Sequence, residues 1–181
     1  VSPAPPMNHI RDIALAPEGV YLVSGEETYY GGAGVLIFRT NQGVVTEVPL
    51  ANTPNEVAVD VDHVYWTVLN GQPGVWRAPR TDLFAGTLFA ATSNGSRGIA
   101  LTDTHAFWPD DNQVRRQLKV GGTSQLVATM SSGLYHFASD AQGVYWTDEA
   151  AGTVWWYPPP NGPAVLVTNY NVQWLRDVAA D

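Results

Sequence analysis

Short runs of alternating apolar and polar residues recur along the chain, joined in pairs by tight polar turns. The fullest copy is Phe137-Ala138-Ser139-Asp140-Ala141-Gln142-Gly143-Val144-Tyr145-Trp146-Thr147-Asp148. Alternation with a period of two, broken by a turn, predicts strand, turn, strand. Shorter versions are Ala14-Leu15-Ala16 with Val20-Tyr21-Leu22-Val23, Ala58-Val59-Asp60 with Val64-Tyr65-Trp66-Thr67, and Ala100-Leu101-Thr102 with Ala106-Phe107-Trp108-Pro109. In each copy an aromatic residue follows the alanine by seven positions. The alanines at 14, 58, 100, 138 and 179 lie 44, 42, 38 and 41 residues apart. A period near forty, built from short strands without helical spacing, predicts four-stranded propeller blades.

The predicted class is therefore all-β. A Pro-rich segment covers 1–7 and the repeats cover 8–181, with blades at about 8–53, 54–94, 95–132 and 133–171. Residues 172–181 repeat the opening of the first blade: Leu175-Arg176-Asp177-Val178-Ala179 parallels Ile10-Arg11-Asp12-Ile13-Ala14. They predict the first strand of a further blade, which would pair with blades from the same chain or another subunit. The start at Val1, without an initiator Met, suggests a processed, excised or incomplete chain.

Strand alternation places each marker alanine opposite its large neighbours, Ile13 and Leu15, Val57 and Val59, Ile99 and Leu101. The small residue permits close approach of the next blade. Trp66, Trp108 and Trp146 share one position on the second strand and read as core between blades. His63 and His105 share a slot with Gly19 and Gly143. That predicts a turn of positive φ or tight space rather than a metal ligand.

Composition narrows the function. A net charge of −8, with only nine Lys and Arg, argues against nucleic acid. No apolar run is long enough for a membrane span. The chain has no Cys, so neither a disulfide framework nor a thiolate metal site is available. Ser96 and Ser139 lack a recognisable base or oxyanion motif.

At Tyr145-Trp146-Thr147-Asp148 the sequence resembles the YWTD propellers of lipoprotein-receptor ectodomains. The wider Ala-x-Asp…Val-Tyr-Trp-Thr pattern is similar to secreted or surface bacterial propellers akin to the NHL and TolB types. Only the fourth copy carries the full tetrad: the second has Val68 in place of Asp, and the third reads Phe107-Trp108-Pro109-Asp110. The resemblance implies a ring of about six or seven blades and a secreted, periplasmic or cell-surface location. It implies a structural role for the tetrad, and so nominates no active site.

Candidate chemistry falls on loops. In a propeller the links between blades and the loops joining second to third strands lie at one end. Those loops carry Glu26, Glu27, Tyr29 and Tyr30, then Asn70 and Gln72, then Asp110, Asp111 and Asn112, then Asp148 and Glu149. Arg11, Arg97 and Arg176 each stand three residues before a marker alanine. The expected function is non-catalytic binding or scaffolding. Tyr29, Tyr30, Asp110, Asp111, Asp148, Glu149 and the three arginines would recognise a protein or glycan. The alternative is a propeller enzyme of lactonase or lyase type with a metal at the channel mouth. Arginine at the repeated mouth position would repel a cation, and His9 and His136 do not form a ligand set, so no metal or cofactor is expected.

Overall fold

The computed structural model describes residues 9–25, 32–131, 134–158, 162–169 and 178. Among them there is no helix, and sixteen strands form four antiparallel sheets of four. The first sheet comprises β1 (Ile10–Ala16), β2 (Gly19–Gly25), β3 (Gly34–Thr40) and β4 (Val45–Leu50). The second comprises β5 (Pro54–Val59), β6 (His63–Val68), β7 (Gly74–Pro79) and β8 (Thr87–Ala91). The third contains β9 (Ala100–Leu101), β10 (His105–Asp110), β11 (Gln113–Leu118) and β12 (Gln125–Thr129). The fourth contains β13 (Leu134–Asp140), β14 (Gly143–Asp148), β15 (Thr153–Tyr157) and β16 (Val165–Asn169). Each sheet pairs its strands in chain order. This is the all-β propeller of four-stranded blades expected from the repeat.

The chain forms two compact units, Val1–Ser96 and Arg97–Asp181. In the first, one face of sheet one supplies Tyr21, Val23, Leu36 and Val48. These meet Val57, Val64, Trp66, Val68, Ala78 and Leu83 of the second sheet and its β7–β8 loop. In the second unit Ala100, Phe107 and Val114 meet Phe137, Val144, Trp146 and Tyr157. The aromatic seven residues after each alanine thus pairs with it across the first two strands, as Ala14 with Tyr21 and Ala100 with Phe107. Trp66, Trp108 and Trp146 are all buried.

Some expectations change. The third blade's first strand shrinks to two residues. The preceding Ser93-Asn94-Gly95-Ser96-Arg97-Gly98 has weak strand preference, and Gly95 sits at φ 81°. The histidine slot is tight where glycine holds it, since a Cβ at Gly19 or Gly143 would press on a backbone oxygen and Gly143 has φ 150°, but neither histidine has positive φ, Asp111 being the sole non-glycine that does among the described residues. His63 and His105 instead open β6 and β10, their rings 6.0 and 6.1 Å from Tyr65 and Phe107. Ile13 and Leu15 are 52% and 77% exposed, whereas Val57 and Ile99 are buried. The predicted strand at 172–181 lies, apart from Val178, outside the described residues.

The outer strand pairings share an irregularity. The register shifts at Val75/Trp76 between β7 and β8, at Val114/Arg115 between β11 and β12, and at Val154/Trp155 between β15 and β16. The β3–β4 pairing is regular throughout.

Candidate functional site

The second-to-third-strand turns are built around their carboxylates. Asp148 closes β14 and is 2% exposed. Its Oδ2 accepts from the Ser131 amide at 3.1 Å and the Ser131 hydroxyl at 2.8 Å, and its Oδ1 accepts from the Ala151 amide at 3.2 Å. One carboxylate therefore fixes both its own turn and the segment that enters the fourth sheet. Asp110, also buried, faces the Arg115 guanidinium at 3.2 Å, and Arg115 reaches on to Gln113 at 2.8 Å. Asp111 is exposed at the first position of a two-residue turn, with φ 59°. Asp tolerates that conformation better than most side chains. Glu149 is buried. Among the described residues, the acidic residues expected on the rim are thus, Asp111 apart, drawn into the frame, while Glu26 and Glu27 lie outside the described residues.

Arg11 is half-buried within β1, while Arg97 is exposed just before β9. Tyr29, Tyr30 and Arg176 lie outside the described residues.

Two concave surfaces were not visible in the linear pattern. The first lies between the first and second sheets and has a volume of about 210 Å³. Its walls include Val48, Leu50, Trp66, Trp76, Leu83 and Phe84, with Asn52 and Gln72 at its polar edge. Asn52 belongs to the link between sheets and Gln72 to the β6–β7 loop, so this edge falls on the loops singled out by strand order. The β7–β8 loop shapes the cleft through Asp82. Its amide donates to the Pro79 carbonyl, and its Oδ1 accepts from the Phe84 amide at 3.2 Å. The turn sends Leu83 inward and Phe84 outward, the latter 68% exposed. Gly86 lies over Trp66, where a Cβ would stand 3.0 Å from the indole edge.

The second is a cavity of about 460 Å³ between the third and fourth sheets, at the end of the strands opposite Asp110 and Asp148. Arg116 dominates it. Its Nη1 donates to the Tyr157 hydroxyl at 2.7 Å and its Nε to Gln125 Oε1 at 3.2 Å. His105 adjoins it, with Nδ1 2.8 Å from the Thr104 hydroxyl. Burial, and secondarily the Arg116 charge, hold the imidazole below its usual 6.5. Among the described residues no cluster of three His, Asp or Glu side chains is placed to hold a metal ion.

The fold belongs to the β-propeller class, and solved structures bear this out. A nidogen/laminin complex contains a chain matched with TM-score 0.78 at 16% identity, over 97% of this chain and 70% of that one. A GH74 enzyme of Niastella koreensis matches with TM-score 0.67 at 17% identity, over 88% of this chain and 30% of that one. The extracellular domain assigned to one component system BT4673 of B. thetaiotaomicron matches with TM-score 0.65 at 13% identity, over 93% and 24%. No protein-family model and no curated protein matches the sequence.

Proposed function

We propose that this chain is a non-catalytic, extracytoplasmic binding propeller of the YWTD kind, and that it grips an apolar side chain of a protein partner in the Trp66–Trp76–Phe84 cleft. The observation that carries this reading is Phe84, 68% exposed at the lip of a cleft walled by two tryptophans. Aromatic rings around a small apolar recess are the usual anchors of protein interfaces. Asn52 and Gln72 at the edge provide amides for a partner backbone. A similar propeller chain occurs in a nidogen/laminin complex, and another is an extracellular domain. The non-catalytic part rests on the carboxylates. Asp148 and Asp110 are occupied by Ser131, Ala151 and Arg115, which leaves little freedom for acid–base work.

Selection of a random peptide library on the full chain tests this. Enriched peptides should share an apolar anchor residue. Phe84→Ser and Trp76→Ala should each weaken them by about tenfold or more. Asp111→Ser, which lies elsewhere, should leave them unchanged. A library without consensus, or peptides indifferent to both cleft variants, would overturn the reading. Glycans that bind in the same cleft and depend on Trp76 would replace a protein ligand by a sugar.

A further inference from the structure

The two units carry the same arrangement of strands, so they can be compared position by position. In the first unit Tyr21 pairs with Ala14 and Phe38, and Val64 pairs with Val59 and Ala78. In the second, Phe107 pairs with Ala100 and Arg116, and Val144 pairs with Ser139 and Tyr157. Arg116 thus takes the place of Phe38, Ser139 that of Val59, Tyr157 that of Ala78 and His105 that of Gly19. In the first unit these positions are apolar and pack against one another. Tyr21 and Phe38 stack at 4.5 Å, and Val59, Phe38 and Ala78 join the core. An ion pair of Glu18 and Arg80 closes the end, with Tyr21 donating to Glu18 at 3.3 Å. In the second unit the same location is the 460 Å³ cavity.

Apolar residues have been exchanged for polar ones at the places that face this space. A larger tyrosine replaces an alanine without closing it. Burying an arginine edge, a histidine and two hydroxyl groups beside an apolar core costs stability unless they have partners. His63 and Arg77 of the second sheet hold the same slots as His105 and Arg116, so what sets the second unit apart is that these two types meet Ser139 and Tyr157 across one interface between sheets. The volume falls in the range of small-ligand pockets, about 300–1,000 Å³.

The lining selects the ligand chemistry. Arg116 is braced by Tyr157 and Gln125, so its guanidinium is preorganised. Asp103 and Asp140 stand at the same cavity, and Asp140 Oδ1 accepts from the amides of Gln142 at 2.7 Å and Gly143 at 3.0 Å. The Ser139 hydroxyl donates to the Leu101 carbonyl at 2.7 Å, which turns its own lone pairs to acceptor duty. Two carboxylates against one guanidinium disfavour an anion. The Arg116 charge, held on the same wall by Tyr157 and Gln125, disfavours a cation beside it. What suits mixed donors and acceptors around the rings of Phe107 and Tyr157 is a molecule whose hydroxyl groups each donate and accept.

We propose that the cavity between the third and fourth sheets is a binding site for a compact neutral sugar, a mono- or disaccharide. Hydroxyl groups of the sugar meet Arg116, His105, Ser139 and Asp140, and a C–H face lies on the Tyr157 side. The site is separate from the aromatic cleft, and neither depends on the other.

The test uses the isotope-labelled full chain and amide NMR spectra. The probes are glucose, galactose, maltose and cellobiose, with acetate and inorganic phosphate as charged controls. At least one sugar should give saturable shifts at the amides of Thr104, His105, Arg116, Ser139 and Gly143. Two variants restore what the first unit carries, Arg116→Phe and Ser139→Val. Each should weaken the sugar at least about tenfold, the loss expected for a charge-assisted or buried hydrogen bond. Melting curves establish that the variants fold, and Ser139→Val, the smaller change, decides the matter if Arg116→Phe does not. The proposal is overturned if no sugar saturates these amides, or if both folded variants bind it as the parent does. It is equally overturned if acetate or phosphate saturates them and the sugars do not.

Discussion

At His105 two effects act in the same direction. Burial strips water from the imidazolium, and Arg116 adds repulsion, so the folded-state pKa lies below 6.5. The unfolded chain therefore binds more protons as pH falls. The His105 contribution to stability is full above 6.5, declines as pH drops toward the folded value, and is constant below it. Glu18 adds a loss of the same sign further into acid. Its hydrogen bond to Arg80 lowers its pKa below 4.5, though its exposure keeps the effect small. In ring-proton NMR titrations His105 should show a midpoint below 6.5. Arg116→Met should raise that midpoint without restoring 6.5, because burial persists. A midpoint unmoved by the substitution would deny Arg116 its influence. Little of this was legible in the linear sequence. His105 stood out only as the occupant of a turn slot, and Arg116 and Tyr157 belong to no motif. They emerge once the copies are aligned by strand register, where arginine faces phenylalanine and tyrosine faces alanine. Asp148 was read both as a structural residue through its tetrad and as a ligand contact, and it is buried. Its contact to Ser131, seventeen positions earlier in the chain, was not legible.

Among the strands, those with a strong alternating pattern were readable almost to their ends. Ala14-Leu15-Ala16 and Val20-Tyr21-Leu22-Val23 fall within β1 and β2 on either side of the turn the pattern predicts. The third blade's first strand, Ala100–Leu101, is the shortest, because glycines and polar residues at Ser93–Gly98 oppose pairing ahead of it. The β7–β8 loop went unremarked. Leu83 and Phe84 look like one apolar pair, and only the Asp82 turn separates a buried residue from an exposed one. The tryptophan position on the second strand carries the largest packing term. Trp146 is wholly buried and stacks on Phe137 with centroids 6.0 Å apart. Trp146→Ala should cost about 3–5 kcal/mol, as loss of a large core ring does. Urea unfolding reads this as a lowered midpoint, and a midpoint equal to the parent's would show the ring outside the core.

For the whole molecule, the repeat period announced the class of fold, since each four-stranded unit needs a neighbour to bury its faces. Function was less legible, because the sites lie in differences between copies. The acidic loop residues were read as a ligand-binding rim without a metal, yet Asp110 and Asp148 are buried. Millimolar calcium should accordingly shift the melting temperature by no more than about 1 °C. A site saturated a hundredfold would add roughly 2.7 kcal/mol and several degrees. The register shifts between third and fourth strands bear on a different property, the tendency of sheet edges to zip together into fibres. β8, β12 and β16 are outermost, and each pairs through a bulge, which twists an edge away from the flat geometry that self-pairing needs. β4 alone has no such bulge, and its Val45 is exposed. It carries Glu47 and Pro49 instead, a charge and a missing amide donor on the one straight edge. The chain thus guards its four outermost strands by two different means, and β4 is where a single substitution, at Pro49, would open a template for growth.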